Sequence, residues 1–222
     1  MKKEVYFVRH GESEGNVGEP PVYKPDADLE LTQKGREQSR FIAERVASLP
    51  FDSLVVSPYV RTRDTAAMIE KTTGKKAEYS DLIVERILPS SIVGKSRDDE
   101  SVDALVADWV DSFFVANTRV EDGENFEDIT ERAKQALRLF EQRPDERILA
   151  VSHGFFLRVV LSVVMFGESL TPKELKQFIA ATSTTNTGIT MISYTTEVHA
   201  HDVDPDRPRW RIKIFNDHAH LG

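Results

Sequence analysis

Two apolar runs in this chain break off in the same way. Val5 to Val8 leads into Arg9-His10-Gly11, and Arg147 to Ser152 leads into His153-Gly154. A short, nearly continuous apolar run predicts a strand covered on both faces. A histidine and a glycine just past its end predict a sharp exit from the sheet with an imidazole at the rim. In open α/β sheets, ligands collect at the carboxyl ends of the strands. Both imidazoles are therefore expected to face one crevice.

The rest of the chain supplies the partners such a sheet needs. Leu54 to Ser57 reads as another buried strand, and the segment after it, SPYVRTRDTA, brings Arg61 to the same edge. Thr32 is the expected N-cap of a helix carrying Ile42, Val46 and Leu49, and a further helix is expected from about Val60 to Gly74. Residues 81–97 read as irregular. Val102, Leu105, Val106, Trp109, Val110, Phe113 and Phe114 then mark one helical face, and Phe126, Ile129, Ala133, Leu137 and Phe140 another. Thr171-Pro172 opens a later helix with proline at its first position. Strands near 187–195 and 209–215 close the chain, with a hairpin loop at DVDPDRP between them. Alternating strands and helices predict an α/β three-layer sandwich: a mainly parallel central sheet with helices on both faces. The 222 residues suit a single domain, 1–222, with an insertion around 85–123 that reads as a lid.

Composition narrows the chemistry. The chain has no cysteine, which excludes disulfides, thiolate catalysis and cysteine-ligated zinc. A net charge of −8 argues against binding nucleic acid over the general surface but leaves room for a local cationic pocket. The N-terminus has too few apolar residues for a signal peptide, and the most apolar stretch, 154–167, is broken by Arg158 and too short to span a bilayer. A cytoplasmic protein with no membrane partner is expected. VGKS at 93–96 imitates the end of a phosphate-binding loop, but Pro89 stands where the loop needs glycine. Asp202, Asp204 and Asp206 imitate a calcium loop, but Arg207 and Lys213 stand where glycine and a carboxylate are required. His199, His201, His218 and His220 read as wet surface histidines rather than a metal site.

Two guanidiniums, Arg9 and Arg61, and two imidazoles, His10 and His153, at one sheet edge make an anion site. The planar fork of arginine suits phosphate because it gives two charge-assisted hydrogen bonds. RHGESEGN, LTQKGREQS, SPYVRTRDTA and SHGFFLRV, in that order, resemble the histidine phosphatase superfamily, also called phosphoglycerate mutase-like. The resemblance extends over essentially the whole chain, including TNTGIT and FNDHAHL. Gly154 follows the second histidine where one branch has an acid. The chain is therefore similar to the other branch, whose acid lies on the loop after the third strand, and Glu85 in DLIVERILPSS takes that place. The other reading of Glu85 is an exposed residue paired with Arg86. The family usually has glutamine at the position of Asp64.

The resemblance implies roles. His10 is the nucleophile that forms a phosphohistidine, and its second ring nitrogen is expected to donate to a backbone carbonyl. Arg9, Arg61 and His153 hold phosphoryl oxygens, with Asn16 and the Gly154 turn as further donors. Glu85 protonates the leaving oxygen and then activates water. Gly11 and Gly154 are expected to let backbone approach the ligand. No cofactor or metal is implied, because cationic side chains take that part. Phosphoglycerate mutases carry ERHYG around the acid and two adjacent arginines; here the stretch is ERILP, and no two arginines are adjacent anywhere. The expected reaction is hydrolysis of a small phosphorylated metabolite to inorganic phosphate. The alternatives are mutase-type phosphotransfer and a phospho-ligand binding module without turnover. Trp109, Phe113 and Phe114 are read either as core packing or as lid residues shaping the pocket. Lys95 and Arg97 are read either as solvated or as contacts to further anionic groups of a substrate.

Overall fold

The computed structural model describes residues 1–18, 21–197 and 210–222. Strand β1 is Lys2–Arg9, followed by the single-turn helix α1, Glu14–Val17, and helix α2, Gln33–Val46. Then come β2 (Ser53–Val56), α3 (Val60–Thr73), β3 (Ala77–Tyr79), α4 (Glu100–Asp111), α5 (Phe126–Gln142) and β4 (Arg147–Ser152). The chain continues with α6 (Gly154–Phe166), α7 (Pro172–Ala181), β5 (Ile189–Thr195) and β6 (Trp210–Asp217). The sheet order is β3-β2-β4-β1-β5-β6. The first four strands are parallel, and β5 and β6 add antiparallel to the β1 edge.

The alternating residues of the central strands explain why helices cover both faces. Val5, Phe7, Ile148 and Ala150 pack with α5 and α6 in one core. Tyr6, Val8, Leu149 and Val151 pack with α2 and α3 in the other. A strand buried on both sides has no polar face, which is why the runs are continuous rather than alternating. β1 and β4 are in register from Glu4 opposite Arg147 to Arg9 opposite Ser152. The two His-Gly exits therefore leave the sheet side by side.

Thr32 caps α2 by accepting from the Gly35 N–H, α3 ends at Gly74 in the left-handed region, and Thr171-Pro172 opens α7 with a capping box, as the sequence predicts. Residues 81–97 hold only two short turns of 3-10 helix. Three elements differ. β3 was not foreseen: it is three residues at the sheet edge, two of them exposed, with no apolar run to announce it. α4 stops at Asp111, so Phe113 and Phe114 lie in the turn beyond it, Phe113 fully buried. β1 includes Arg9, which puts the first cation of the site on the sheet itself. The loop expected at 202–208 and the histidines at 199 and 201 lie outside the described residues. His220 contacts the Thr187 hydroxyl at 3.0 Å, and His218 the Asn216 carbonyl at 2.8 Å. Among the described residues, no helix is long and apolar enough to cross a membrane.

Candidate active site

The ends of β1, β2 and β4 open into a cavity of about 430 Å³. Arg9, His10, Asn16, Arg61, Glu85 and Gly154 line it, and His153 packs against His10 with ring centroids 5.2 Å apart. The structure thus brings Arg9, His10, Asn16, Arg61, Glu85, His153 and Gly154 together, drawn from β1, α1, α3, the loop after β3, and the exit of β4; of Lys95 and Arg97, only Arg97 lines the cavity.

His10 is buried, and its Nδ1 lies 2.7 Å from the Gly11 carbonyl oxygen. A carbonyl can only accept, so Nδ1 carries the proton and Nε2 carries the lone pair. The Arg61 Nε–H donates to that Nε2 at 3.2 Å. Burial, with Arg61 and Arg9 beside it, holds His10 well below the usual histidine range. The ring is therefore neutral. His153 is fully buried, and its Nε2 lies 2.8 Å from the Ser57 hydroxyl. Burial, then Arg61 and His10, also hold it well below the ordinary range.

Two buried nitrogens beside the His10 ring, Arg9 Nε and His153 Nδ1, have no hydrogen-bond partner among the described residues. Buried polar groups are rarely left so; Arg9 lines the cavity and His153 packs against the His10 ring that lines it, a placement that suits an oxyanion. Arg9 is anchored through Nη1 to the Thr184 carbonyl. Burial holds its guanidinium below the ordinary arginine range, opposed by Glu85. Asn16 is exposed, and its Oδ1 accepts from Ser13 and from Asn186 Nδ2, which leaves its own amide N–H groups for the cavity.

Glu85 is half-buried and sits over the first turn of α6. The N–H groups of Phe155 and Phe156 donate to its two carboxyl oxygens at 3.2 and 2.9 Å. A helix N-terminus with unsatisfied N–H groups is a natural seat for a carboxyl group. The exposed Glu85–Arg86 ion pair considered from the sequence does not form: the Arg86 guanidinium lies instead over the rings of Trp109 and Phe155.

Two glycines of the site pack tightly against other parts of the chain. A Cβ on Gly11 would stand 2.5 Å from the Gly35 carbonyl oxygen, so the His10 loop packs directly on the first turn of α2. A Cβ on Gly154 would stand 3.1 Å from Arg9 Nε and 2.9 Å from the Thr184 hydroxyl. Both glycines admit close contact within the protein, at Gly154 with a cation of the cup itself.

Several residues of the site were not foreseen. Asp26, in a short turn before α2, places its carboxylate 2.7 Å from Arg61 Nη2, and its backbone carbonyl accepts from Nη1. Burial raises the Asp26 pKa, opposed by Arg61. Tyr59 lies edge-on to His153 and is pushed up to about 12, first by burial and then by Asp26. Arg132 and Glu124 brace the Glu85 loop from behind. Arg132 donates to the carbonyls of Leu82, Val84 and Glu85 and makes a two-pronged pair with Glu124 at 2.7 Å. Nothing local in the sequence marks these contacts. Arg158 alone had a signal, since it stands one turn after Gly154 on a helix that starts at the site; its guanidinium bonds the carbonyls of Gly154, Ile179 and Thr182. Of the three aromatics, Trp109 is both core and cavity wall, Phe113 is core, and Phe114 is half-buried against the core.

Known proteins are similar to this chain in sequence and in fold. The chain is 30% identical over 167 residues to a protein of Photorhabdus laumondii named probable phosphoglycerate mutase GpmB, a match covering 73% of this chain and 74% of the relative. Its fold is similar to that of a putative alpha-ribazole-5'-P phosphatase of Escherichia coli, with a TM-score of 0.74, 19% identity, and coverage of 97% of this chain and 96% of the other. It is also similar to a mycobacterial glucosyl-3-phosphoglycerate phosphatase in complex with inorganic phosphate, with a TM-score of 0.72, 20% identity, and coverage of 99% and 100%. The family model of the histidine phosphatase superfamily (branch 1) matches residues 5–201, and the chain belongs to that superfamily.

Proposed function

We propose that this protein is a phosphatase that hydrolyses a small phosphomonoester through a phosphohistidine on His10. The observation that carries the reading is the polarity of the His10 ring. Its proton is committed to the Gly11 carbonyl, and its neutral, unprotonated Nε2 faces the cationic cup.

In the first step the Nε2 lone pair attacks phosphorus and the P–O bond to the alcohol breaks. The leaving oxygen takes the proton of the Glu85 carboxyl group. Arg9, Arg61, His153 and Asn16 hold the three non-bridging oxygens, and the fixed charges of the arginines meet the spreading charge of the transition state. To bind there, the phosphoryl group replaces the Asp26 carboxylate on Arg61. In the second step water attacks the phosphohistidine, Glu85 takes its proton, and the P–N bond breaks. Inorganic phosphate leaves and His10 returns to its starting state. In this reading the segment 85–123, which contributes Arg86, Leu88, Trp109 and Val110 to the wall, serves as the lid.

Rapid mixing with a radiolabelled phosphomonoester and a quench in base should leave label on the protein. His10→Ala should abolish both label and turnover while preserving the circular dichroism spectrum. Turnover that survives this substitution would overturn the reading. The name of the Photorhabdus relative favours a second reading, mutase-type transfer. The absence of adjacent arginines weighs against it. Given 3-phosphoglycerate and a bisphosphate primer, a phosphatase releases phosphate, and a mutase accumulates 2-phosphoglycerate.

A further inference from the structure

The turn that leads into β5 holds a conformation its own residues resist. Thr187 has a φ of 61°, in the left-handed region that a β-branched residue rarely enters. Such a conformation persists only where the surroundings over-determine it. Asn216 of β6 fixes the turn from one side: its Oδ1 accepts the Thr185 N–H at 2.7 Å, and its Nδ2 donates to the Thr185 hydroxyl at 3.2 Å. The Thr187 hydroxyl donates to the Asn186 carbonyl at 2.7 Å.

The strained turn aims its donors at the backbone of Arg9 and His10. The Thr187 N–H is shared between the Arg9 carbonyl at 3.0 Å and the His10 carbonyl at 3.3 Å, and the Gly188 carbonyl accepts the Arg9 N–H at 3.3 Å. The Asn186 side chain completes the grip. Its Nδ2 donates to the His10 carbonyl at 3.1 Å and to Asn16 Oδ1, also at 3.1 Å. A backbone carbonyl can only accept, so the first contact fixes which end of the Asn186 amide faces His10. One amide nitrogen thus spends its two hydrogens on the backbone of His10 and on the side chain of Asn16. The Ser13 N–H, which can only donate, reaches the same Asn16 Oδ1 at 3.1 Å. Asn16 lines the cavity, and with its oxygen committed twice it has its N–H groups to offer there. Asn186 is half-buried and does not itself line the cavity, so it reaches a ligand through the two groups it ties.

We infer that Asn186 is a positioning residue for phosphoryl transfer: its amide ties the backbone of His10 to the amide of Asn16, and so keeps the attacking ring and a donor to the phosphoryl oxygens in one register. The inference rests on the phosphatase reading above. The tie joins groups from two separate elements, the exit of β1 and the single turn of α1. Alignment of this kind counts most as the attacking atom closes on phosphorus, so its loss falls on kcat more than on KM. A misplacement of about 1 Å can cost roughly 10²-fold, which puts the expected loss at roughly 10- to 100-fold.

The test uses Asn186→Ala, Asn16→Ala and the double variant, with the burst of label on His10 timed at saturating radiolabelled ester. Asn186→Ala should slow the burst by roughly 10- to 100-fold, with a smaller change in KM. Its urea midpoint should stay near the wild-type value, because the His10 carbonyl keeps the Thr187 N–H and Asn16 keeps the Ser13 N–H. The double variant should lose less than the product of the two single losses, since Asn186→Ala already frees Asn16. Asn186→Asp fills the same volume without either donor, and should show the same loss at saturation even if the truncated variant unfolds. An unchanged burst rate in Asn186→Ala or Asn186→Asp would overturn the inference. So would a loss that follows the folded fraction, or full additivity with Asn16→Ala, either of which would mark Asn186 as a structural contact. A wild-type protein that takes no label on His10 from any ester would instead overturn the phosphatase reading.

Discussion

The Arg132–Glu124 pair links the core to the loop that carries the proposed acid, Glu85, and its removal has a calculable cost. The side chains are 11% and 5% exposed, so solvent screens the pair little. Arg132 also satisfies the carbonyls of Leu82, Val84 and Glu85, and its guanidinium lies over the Phe156 ring at 4.4 Å. Glu124 in turn accepts the Ile87 N–H at 3.1 Å. Arg132→Met keeps an apolar stem against Phe156 but leaves Glu124 buried without a countercharge. Breaking one half of a buried pair costs about 3–5 kcal/mol. For a chain of this size, that lowers Tm by roughly 6–20 °C. Adding Glu124→Leu removes the orphaned charge and should recover part of the loss. Three carbonyls and one N–H would still lack their partners, which should hold the double variant below the wild type. Urea titrations of the three proteins measure these differences. Arg132→Met should also slow alkyl phosphates more than nitrophenyl phosphate, because the loop it braces carries Glu85. A loss below about 1 kcal/mol for the single variant would place the pair among screened surface bridges and refute the bracing argument.

Glu85→Gln should reduce kcat/KM for alkyl phosphates by roughly 10²- to 10⁴-fold. The loss on nitrophenyl phosphate should be at least tenfold smaller, since that leaving group hardly needs a proton; equal losses on both would remove Glu85 from the acid role. Stability should fall in mild acid. His10 and His153 stay neutral in the folded chain well below the usual range, whereas each binds a proton near pH 6.5 when the chain unfolds. Below that pH the unfolded state holds up to two more protons than the native state. These two groups alone therefore lower stability by up to about 2.7 kcal/mol per pH unit, until the pH reaches their folded values. Urea midpoints measured between pH 7 and pH 5 should show this fall, and His10→Asn should halve the part of the slope that His10 and His153 contribute; a flat profile across that window would contradict the burial of neutral rings.

What the sequence made legible were features whose cause is local. A strand buried on both faces writes itself as an unbroken apolar run, and its His-Gly exit is four consecutive residues, so His10, His153 and the sheet edge they share were readable before any coordinates. The same holds for the caps at Thr32, Gly74 and Thr171. Residues that act by meeting across the fold left no such mark. Ser57 reaches His153 across 96 positions, and Arg132 reaches the Glu85 carbonyl across 47. Asp26 sits in a loop that reads as a polar connector, yet its carboxylate engages the cation on the first turn of α3. β3 escaped because three edge residues cannot form a periodic pattern. The resemblance, rather than periodicity, supplied Glu85, and the structure shows why: a carboxyl seated on a distant helix N-terminus has no signature in its own segment.

The placement of the site follows from a conflict that this fold resolves in one spot. A nucleophilic imidazole must be neutral, which favours burial, while a phosphoryl group must be met by charge, which favours exposure. At the ends of β1 and β4 the chain does both. The ring of His10 lies below the rim, packed on His153 and closed from behind by the Gly11–Gly35 contact, while the arginines stand around it with each guanidinium partly engaged. The arginines themselves help keep the ring neutral, because a second positive charge at Nε2 would face Arg61 at 3.2 Å. The groups proposed to bind phosphate therefore also keep the proposed nucleophile neutral. On that account, replacing Arg61 with a neutral residue removes a phosphate contact and the charge that opposes protonation of His10, so its effect on turnover should grow as the pH falls.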